Sequence, residues 1–140
     1  MIKKILYVSL LVLGSTISAD PLSKAIDNLE RKPENIARDV YRNPYETISF
    51  FQLKTDMQVI ELSPGSGWYT EILASYLRES GLLIAAHFNP EIKNNYLRKS
   101  RANFENMLMS REALKKVQLV NLDSTLAPPN SVDAVLTFRN

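Results

Sequence analysis

The sequence contains no cysteine and only one histidine, His87. Without thiols the chain can form neither disulfide bonds nor thiolate metal sites. A single histidine does not supply the three or four converging ligands that a metal ion needs in a protein. We therefore expect a protein without a metal centre and without covalent cross-links.

The chain also lacks a hydrophobic segment long enough to cross a bilayer, which takes roughly 20 residues. Lys3 and Lys4 precede an apolar run of nine residues, 5–13, and small residues lead up to Ala19. This pattern predicts a secretory signal peptide over residues 1–19 that is cleaved after Ala19. A membrane anchor would need a longer run, and a lipoprotein leader would need a cysteine. We expect an exported protein, periplasmic or secreted, without a stable membrane anchor.

No charge of one sign predominates once this leader is set aside. The full chain carries 17 Lys and Arg residues against 15 Asp and Glu residues, and two of the 17 are Lys3 and Lys4. The remaining chain therefore has 15 charges of each sign. Because it has no basic surplus to neutralise phosphates, we expect no nucleic-acid partner. Its 121 residues suffice for one modest domain with a core.

The most informative segment, residues 59–70, reads Val-Ile-Glu-Leu-Ser-Pro-Gly-Ser-Gly-Trp-Tyr-Thr. A short apolar run ends in an acid, Glu61. Two glycines, Gly65 and Gly67, follow it, and a helical pattern begins directly after them. A strand, a tight turn and a helix in this order form the opening unit of nucleotide-binding α/β domains. Glycines in the turn allow a ligand to lie against the backbone. An ordinary turn with convenient glycines is the alternative that this motif leaves open.

Spacing separates two ligand classes that use such a turn. The dinucleotide frame, Gly-x-Gly-x-x-Gly, falls on Ser63, Gly65 and Trp68, and a tryptophan would obstruct the close packing that the third glycine allows. This disfavours a nucleotide-dependent oxidoreductase. The frame Glu-x-Gly-x-Gly-x-Gly falls on Glu61, Ser63, Gly65 and Gly67, with only the first glycine changed. This second frame resembles motif I of the class I S-adenosylmethionine-dependent methyltransferases.

The rest of the chain narrows the resemblance. Segments 42–44, 50–51, 85–88 and 136–140, together with Pro-Gly-x-Gly-Trp-Tyr-Thr-Glu-Ile-Leu at 64–73, look like a group of predicted, exported methyltransferases. The resemblance implies S-adenosylmethionine as the cofactor and does not name a methyl acceptor. An exported enzyme has no evident supply of this cofactor, since S-adenosylmethionine is made and used mainly in the cytoplasm.

The resemblance also implies roles for the residues of the motif. Glu61, at the end of the first strand, would bear on the amino-acid end of the cofactor, directly or through water. The turn from Ser63 through Gly65 to Gly67 would carry the cofactor against its backbone. The alternative for Glu61 is an acid paired with a nearby arginine or lysine. The functional role is favoured, because a buried strand rarely tolerates an unpaired acid.

Two further contacts are expected at the ends of the next strands. An acid about 20 residues after the first normally holds the ribose hydroxyls, but residues 86–91 read Ala-His-Phe-Asn-Pro-Glu. His87 or Asn89 could bond a hydroxyl instead, while Glu91 comes late and is expected to face solvent. Asn89 also suits a helix cap. Asp123 stands where such enzymes contact the adenine amino group, and it suits an ordinary turn equally well. No catalytic residue can be assigned.

The periodicity predicts short helices over a lead-in, 20–56, and a Rossmann-like methyltransferase domain over 57–140. Strands are predicted over 58–62, 82–86, 117–121 and 132–138. Helices are predicted over 68–79 and over a long segment capped by Asn89 and Pro90. Strands that alternate with helices indicate a parallel sheet with right-handed crossovers. For methyltransferase topology the expected strand order is 3-2-1-4.

The fold implied by the resemblance has seven strands, whereas the prediction ends with the fourth. We therefore expect the chain to form the amino-terminal portion of such a domain. Arg139 and Asn140 would lie where the fourth strand opens onto the reaction site. If the chain is truncated, we expect it to be inactive. The fourth strand would expose an edge that invites self-association or a partner strand. The alternative function is a non-catalytic, exported module that binds a ligand or partner on the same half-sheet.

Overall fold

A computed structural model describes residues 20–138 of the chain. The predicted signal peptide, 1–19, and the expectation for Arg139 and Asn140 lie outside these residues. Between residues 20 and 138, no helix combines the length and apolar character that crossing a membrane requires.

The core is a sheet of four parallel strands in the order β3-β2-β1-β4, which confirms the predicted order and the Rossmann-like α/β class. Its strands are β1 (Gln58–Leu62), β2 (Leu82–His87), β3 (Gln118–Asn121) and β4 (Ala134–Thr137). In the register, Ile60 of β1 lies between Ile84 of β2 and Val135 of β4. The central strands β1 and β2 are apolar runs because both of their faces are covered.

Six α-helices and one 3-10 turn occur in the described residues. They are α1 (Pro21–Ile26), α2 (Pro33–Ile36), α3 (Asp39–Arg42), α4 (Pro44–Phe50), α5 (Trp68–Leu77), α6 (Asn95–Met109) and the 3-10 turn Glu112–Leu114. Pro21, Pro33 and Pro44 each open a helix, where a missing amide hydrogen costs nothing. Asn43 separates α3 from α4 with a left-handed φ of 43°.

The long helix does not begin where the sequence predicted. Its first residue is Asn95, and the side chain of Asn94 caps it by accepting hydrogen bonds from the amides of Tyr96 and Leu97. The predicted cap at Asn89 was wrong, because the side-chain oxygen of Asn89 accepts from the amide of Glu91 in a separate turn. The amide nitrogen of Asn89 donates to the carboxylate of Asp123.

The two faces of the sheet are covered differently. On one face, α1, α5 and α6 pack around a large apolar cluster that includes Val59, Leu83, Leu136 and Phe104. On the other, a smaller cluster centred on Ile60, Ile84 and Ala86 is covered by partly buried side chains of the neighbouring strands and loops, including Leu126, Ala127 and Val132. Because the four strands are parallel, their carboxyl ends meet at one edge of the sheet. Ligands of open α/β sheets generally bind at this edge.

A buried polar cluster joins the helical lead-in to α5. The carboxylate of Glu71, 3% exposed, accepts hydrogen bonds from Asn35 Nδ2 at 2.9 Å and from an Arg111 guanidinium nitrogen at 2.8 Å. Arg31, which forms a two-pronged ion pair with Asp39 at 2.7 and 2.8 Å, brings its Nε to 4.0 Å from Glu71 Oε2. The ring nitrogen of Trp68 donates to the carbonyl of Asn35 at 2.8 Å. These contacts fix α5, and with it the preceding turn, against the lead-in.

Candidate functional site

The acid at the end of β1 is buried. Glu61 is 1% exposed, and the hydroxyl of Thr70 donates to its Oε2 at 2.7 Å. In residues 20–138 no arginine or lysine forms an ion pair with it. Burial raises the pKa of Glu61 to about 7, although the hydrogen bond from Thr70 opposes the shift. Within residues 20–138 the structure thus shows no ion pair of the kind that the alternative for this acid expects.

The turn after β1 alternates left-handed residues. Ser63, Gly65 and Gly67 have φ values of 51°, 60° and 85°. The Ser63 amide donates to the carbonyl of Ala86 in β2 at 2.9 Å, and the Gly67 amide donates to that of Pro64 at 2.9 Å. These bonds hold the start and the end of the turn. Within it Pro64 is buried, Gly65 is partly exposed and Ser66 is exposed.

The two glycines of the turn have different surroundings. A Cβ on Gly67 would collide with the methyl carbon of Met107 and lie 2.7 Å from its sulfur, so the absence of a side chain serves the packing of α5 against α6. Gly65 is partly exposed and borders a groove of about 790 Å³ between the turn and α6, together with Ser66 and Tyr96. Of the two, Gly65 is the residue whose backbone a ligand can reach.

Asn89 and Asp123, which follow β2 and β3, meet at the same edge of the sheet. The amide nitrogen of Asn89 donates to Asp123 Oδ2 at 3.0 Å. Both residues line a hollow of about 330 Å³ with Phe88 and Leu122. Glu91 is exposed. The segment directly after β2 lacks the acid that is expected to hold the ribose hydroxyls. The fold brings the carboxylate of Asp123, which follows β3, beside the end of β2.

His87, the last residue of β2, lies below the turn and is fully buried. Its Nδ1 accepts the amide hydrogen of Phe88 at 2.8 Å, and its Nε2 lies 3.3 Å from the carbonyl oxygen of Gly65. Both ring nitrogens are therefore engaged by the backbone. Burial lowers the pKa of His87, which keeps the ring neutral.

Arg101 of α6 is a site residue that the sequence analysis missed. It is 7% exposed, and one guanidinium nitrogen donates to the carbonyl of Phe88 at 2.7 Å and to Asn121 Oδ1 at 2.8 Å. Its Nε forms an ion pair with Glu105 at 2.7 Å. Arg101 thereby ties together the ends of β2 and β3. Its spacing of three residues from Phe104 is the signal that places it on the buried face of the helix.

Two other features of the described residues bear on the choice of site. A hollow of about 390 Å³ between α6, the 3-10 turn and β3 is lined by Leu108, Leu114 and Val117, and shares no residue with the turn or the strand ends. Across positions 20–138, histidine, aspartate and glutamate side chains form no group of three or more that could hold a metal ion. The turn and the strand ends remain the candidate site.

Comparison with known structures agrees with this fold. The chain is similar to the crystal structure of a cyclopropane-fatty-acyl-phospholipid synthase-like protein from Lactobacillus casei, with a TM-score of 0.53 and 16% sequence identity. The match covers 83% of this chain and 45% of that chain, so this chain spans less than half of its neighbour's length. At this identity the likeness shows the fold alone, a Rossmann-like parallel α/β sheet. No protein-family model and no curated protein sequence matches the chain.

Proposed function

We propose that this chain is the cofactor-binding part of an S-adenosylmethionine-dependent methyltransferase with an unassigned acceptor. The observation that carries the proposal is the buried carboxyl of Glu61 at the end of a central strand, beside a turn of alternating left-handed residues; within residues 20–138 it has no ion-pair partner. A buried carboxyl with a raised pKa is typical of a functional site. An ammonium group of a ligand would supply its missing counter-charge.

The residues present fit such a cofactor. Glu61 would hold the amino-acid end, and the backbone from Ser63 to Gly65 would lie along it. Asn89 would bond the ribose hydroxyls, and Asp123 would accept from the adenine amino group, since the two side chains already meet at 3.0 Å beside one hollow. The bound cofactor supplies an electrophilic methyl group. The residues named above would position that methyl group, and no residue is assigned to the acceptor.

Binding of S-adenosylhomocysteine to the purified protein tests this proposal. We expect a saturable heat signal in calorimetric titration with a micromolar dissociation constant, about −8 kcal/mol. Gly65→Asp is expected to weaken binding at least about tenfold, because a side chain at its φ of 60° is strained and reaches into the space of the ligand.

Ser80→Asp is the matched control for this titration. It adds the same charge at an exposed position beyond the far end of α5 and is expected to leave affinity unchanged. Gly67→Asp is less informative, because the new side chain would displace Met107 and disturb folding. A folded wild-type protein that takes up no S-adenosylhomocysteine at millimolar concentration would rule out the cofactor proposal.

A second candidate, a non-catalytic binding module, is favoured by the edge of the sheet. In the described part of the chain β4 pairs with β1 alone, and Val135 of β4 is 54% exposed. Such an edge can pair with a second copy or a partner strand. If it does, sedimentation equilibrium will detect a dimer that Val135→Lys dissociates. Leu29→Lys, which changes an apolar side chain that is 91% exposed, is the control and should leave the dimer intact.

We further propose that the protein is exported. The support is the pattern of two lysines, a largely apolar run of nine residues and small residues within positions 1–19. Mass spectrometry of the protein recovered outside the cytoplasm tests this, since cleavage after Ala19 would leave Asp20 as the first residue. A mass that includes residues 1–19 would contradict it.

A further inference from the structure

The carbonyl of Gly65 faces the one histidine of the chain. This contact belongs to a pair, because two successive residues of β2 hold two alternate residues of the turn. The carbonyl of Ala86 accepts the Ser63 amide hydrogen at 2.9 Å, and Nε2 of His87 lies 3.3 Å from the Gly65 oxygen. The turn is thus fastened to the neighbouring strand at two points.

The second fastening depends on which ring nitrogen carries the hydrogen. Because Nδ1 of His87 accepts the Phe88 amide hydrogen at 2.8 Å, it has no hydrogen of its own in the neutral ring. Nε2 therefore carries the hydrogen and donates it to the Gly65 carbonyl. The ring is fixed in this orientation by Phe104, whose centroid lies 5.0 Å away, and by Phe88 at 5.1 Å.

We propose that His87 is a positioning residue that acts through the Gly65 carbonyl, and that its neutral Nε2–H form sets the conformation of the turn for cofactor binding. This proposal rests on the proposed function for its binding readout, though not for its structural one. Protonation at Nδ1 would remove the acceptor for Phe88. Burial and the nearby Arg101 both lower the pKa of His87, while the Gly65 carbonyl and Glu105 oppose them.

Two substitutions separate the two hydrogen bonds of the ring. The amide nitrogen of a glutamine reaches the position of Nε2, so His87→Gln keeps the donor to Gly65 and loses the acceptor. The oxygen of an asparagine reaches the position of Nδ1, so His87→Asn keeps the acceptor for Phe88 and loses the donor. Each variant keeps a polar side chain and loses one hydrogen bond. We therefore expect the two variants to have similar reductions in melting temperature.

The tests are calorimetric titration with S-adenosylhomocysteine and amide hydrogen exchange of the turn. We expect His87→Gln to retain affinity within about threefold and His87→Asn to lose at least about tenfold, the value of one missing hydrogen bond. Exchange at the Gly67 amide should be faster in His87→Asn than in His87→Gln, whereas the Ser110 amide at the end of α6 should be unchanged. Nitrogen NMR should show the Nε2–H form in the wild type.

The outcomes distinguish this proposal from the proposed function. Wild-type protein that binds no S-adenosylhomocysteine would overturn the function, and the exchange and NMR measurements would still decide the role of His87. Equal affinities and equal exchange in the two variants would overturn the positioning role. An Nδ1–H ring in the wild type would overturn it as well, because that nitrogen could not then accept from Phe88.

Discussion

Glu71→Ala is expected to lower the free energy of unfolding by about 3–5 kcal/mol, the largest effect of any substitution considered. The carboxylate is buried and accepts from Asn35 and Arg111, and it lies 4.0 Å from Nε of the buried Arg31. Removing it leaves two guanidinium groups without that negative charge. Guanidinium denaturation at neutral pH measures the loss.

Trp68 provides a second readout of the same substitution. It is the only tryptophan of the chain, is 2% exposed, and donates to the carbonyl of Asn35. If Glu71→Ala loosens the lead-in from α5, the emission of Trp68 will shift to longer wavelength before global unfolding. Glu79→Ala is the control, because its side chain is 86% exposed, and it should change stability by less than about 0.5 kcal/mol. A loss below about 1 kcal/mol for Glu71→Ala would show that the cluster does not stabilise the fold.

Glu61→Gln is expected to remove a pH dependence of stability. The folded-state pKa of Glu61, about 7, lies above the value of 4.5 expected when the chain is unfolded. The stabilisation from its protonated form is therefore complete below pH 4.5 and is lost as the pH rises through 7. The variant should match the wild type near pH 4 and exceed it by about 3 kcal/mol at pH 8.5.

The measurement is guanidinium denaturation of both proteins at several pH values. The difference between the two proteins in the free energy of unfolding reports on Glu61 alone, because the contribution of His87 is the same in both. That contribution changes with pH in the opposite direction to the contribution of Glu61. With its pKa lowered, His87 contributes stability that is present above pH 6.5 and is lost as the pH falls below it. A wild type and variant that differ by a constant amount from pH 5 to 8.5 would contradict the raised pKa.

The same substitution separates stability from binding. A glutamine keeps an acceptor for the Thr70 hydroxyl and cannot offer a negative charge to a ligand ammonium group. The more stable variant at pH 8.5 is therefore expected to bind S-adenosylhomocysteine less tightly than the wild type. This opposition between stability and affinity is typical of a functional residue held in an unfavourable environment.

Much of the fold could be predicted from local sequence patterns. The apolar run up to Glu61, the glycines and the following helical period predicted β1, the turn and α5. Gly81, whose amide donates to the carbonyl of Leu77, lies near the end of α5, as its position suggested. The prediction failed at the start of α6, because asparagine suits a helix cap at either position and the helix begins after Asn94 instead of Asn89.

The site was predicted less completely than the fold. The sequence indicated that Glu61, Asn89 and Asp123 lie at or just after the ends of three strands. The expected parallel strand order then placed all three at the carboxyl edge of the sheet. It did not indicate that Asn89 would bond Asp123, or that both nitrogens of His87 would be taken by the backbone. The contacts of Asn89 with Asp123 and of His87 with Gly65 join residues that are distant in the chain, and composition and spacing carry no record of them.

The sequence by itself determined the alternation of strands and helices that indicates a parallel sheet, and the acid beside a glycine turn, because periodicity and turn chemistry act over a few residues. The strand order was expected only from the resemblance to methyltransferases, and the structure confirms it. The tertiary structure decided the partners of the buried polar groups. Glu71 meets Arg111 across 40 positions of the chain, and Arg101 meets Asn121 across 20. A buried charge must find partners wherever the fold brings them. The pKa of Glu61 and the hydrogen-bonded form of His87 therefore follow from packing, which no local pattern encodes.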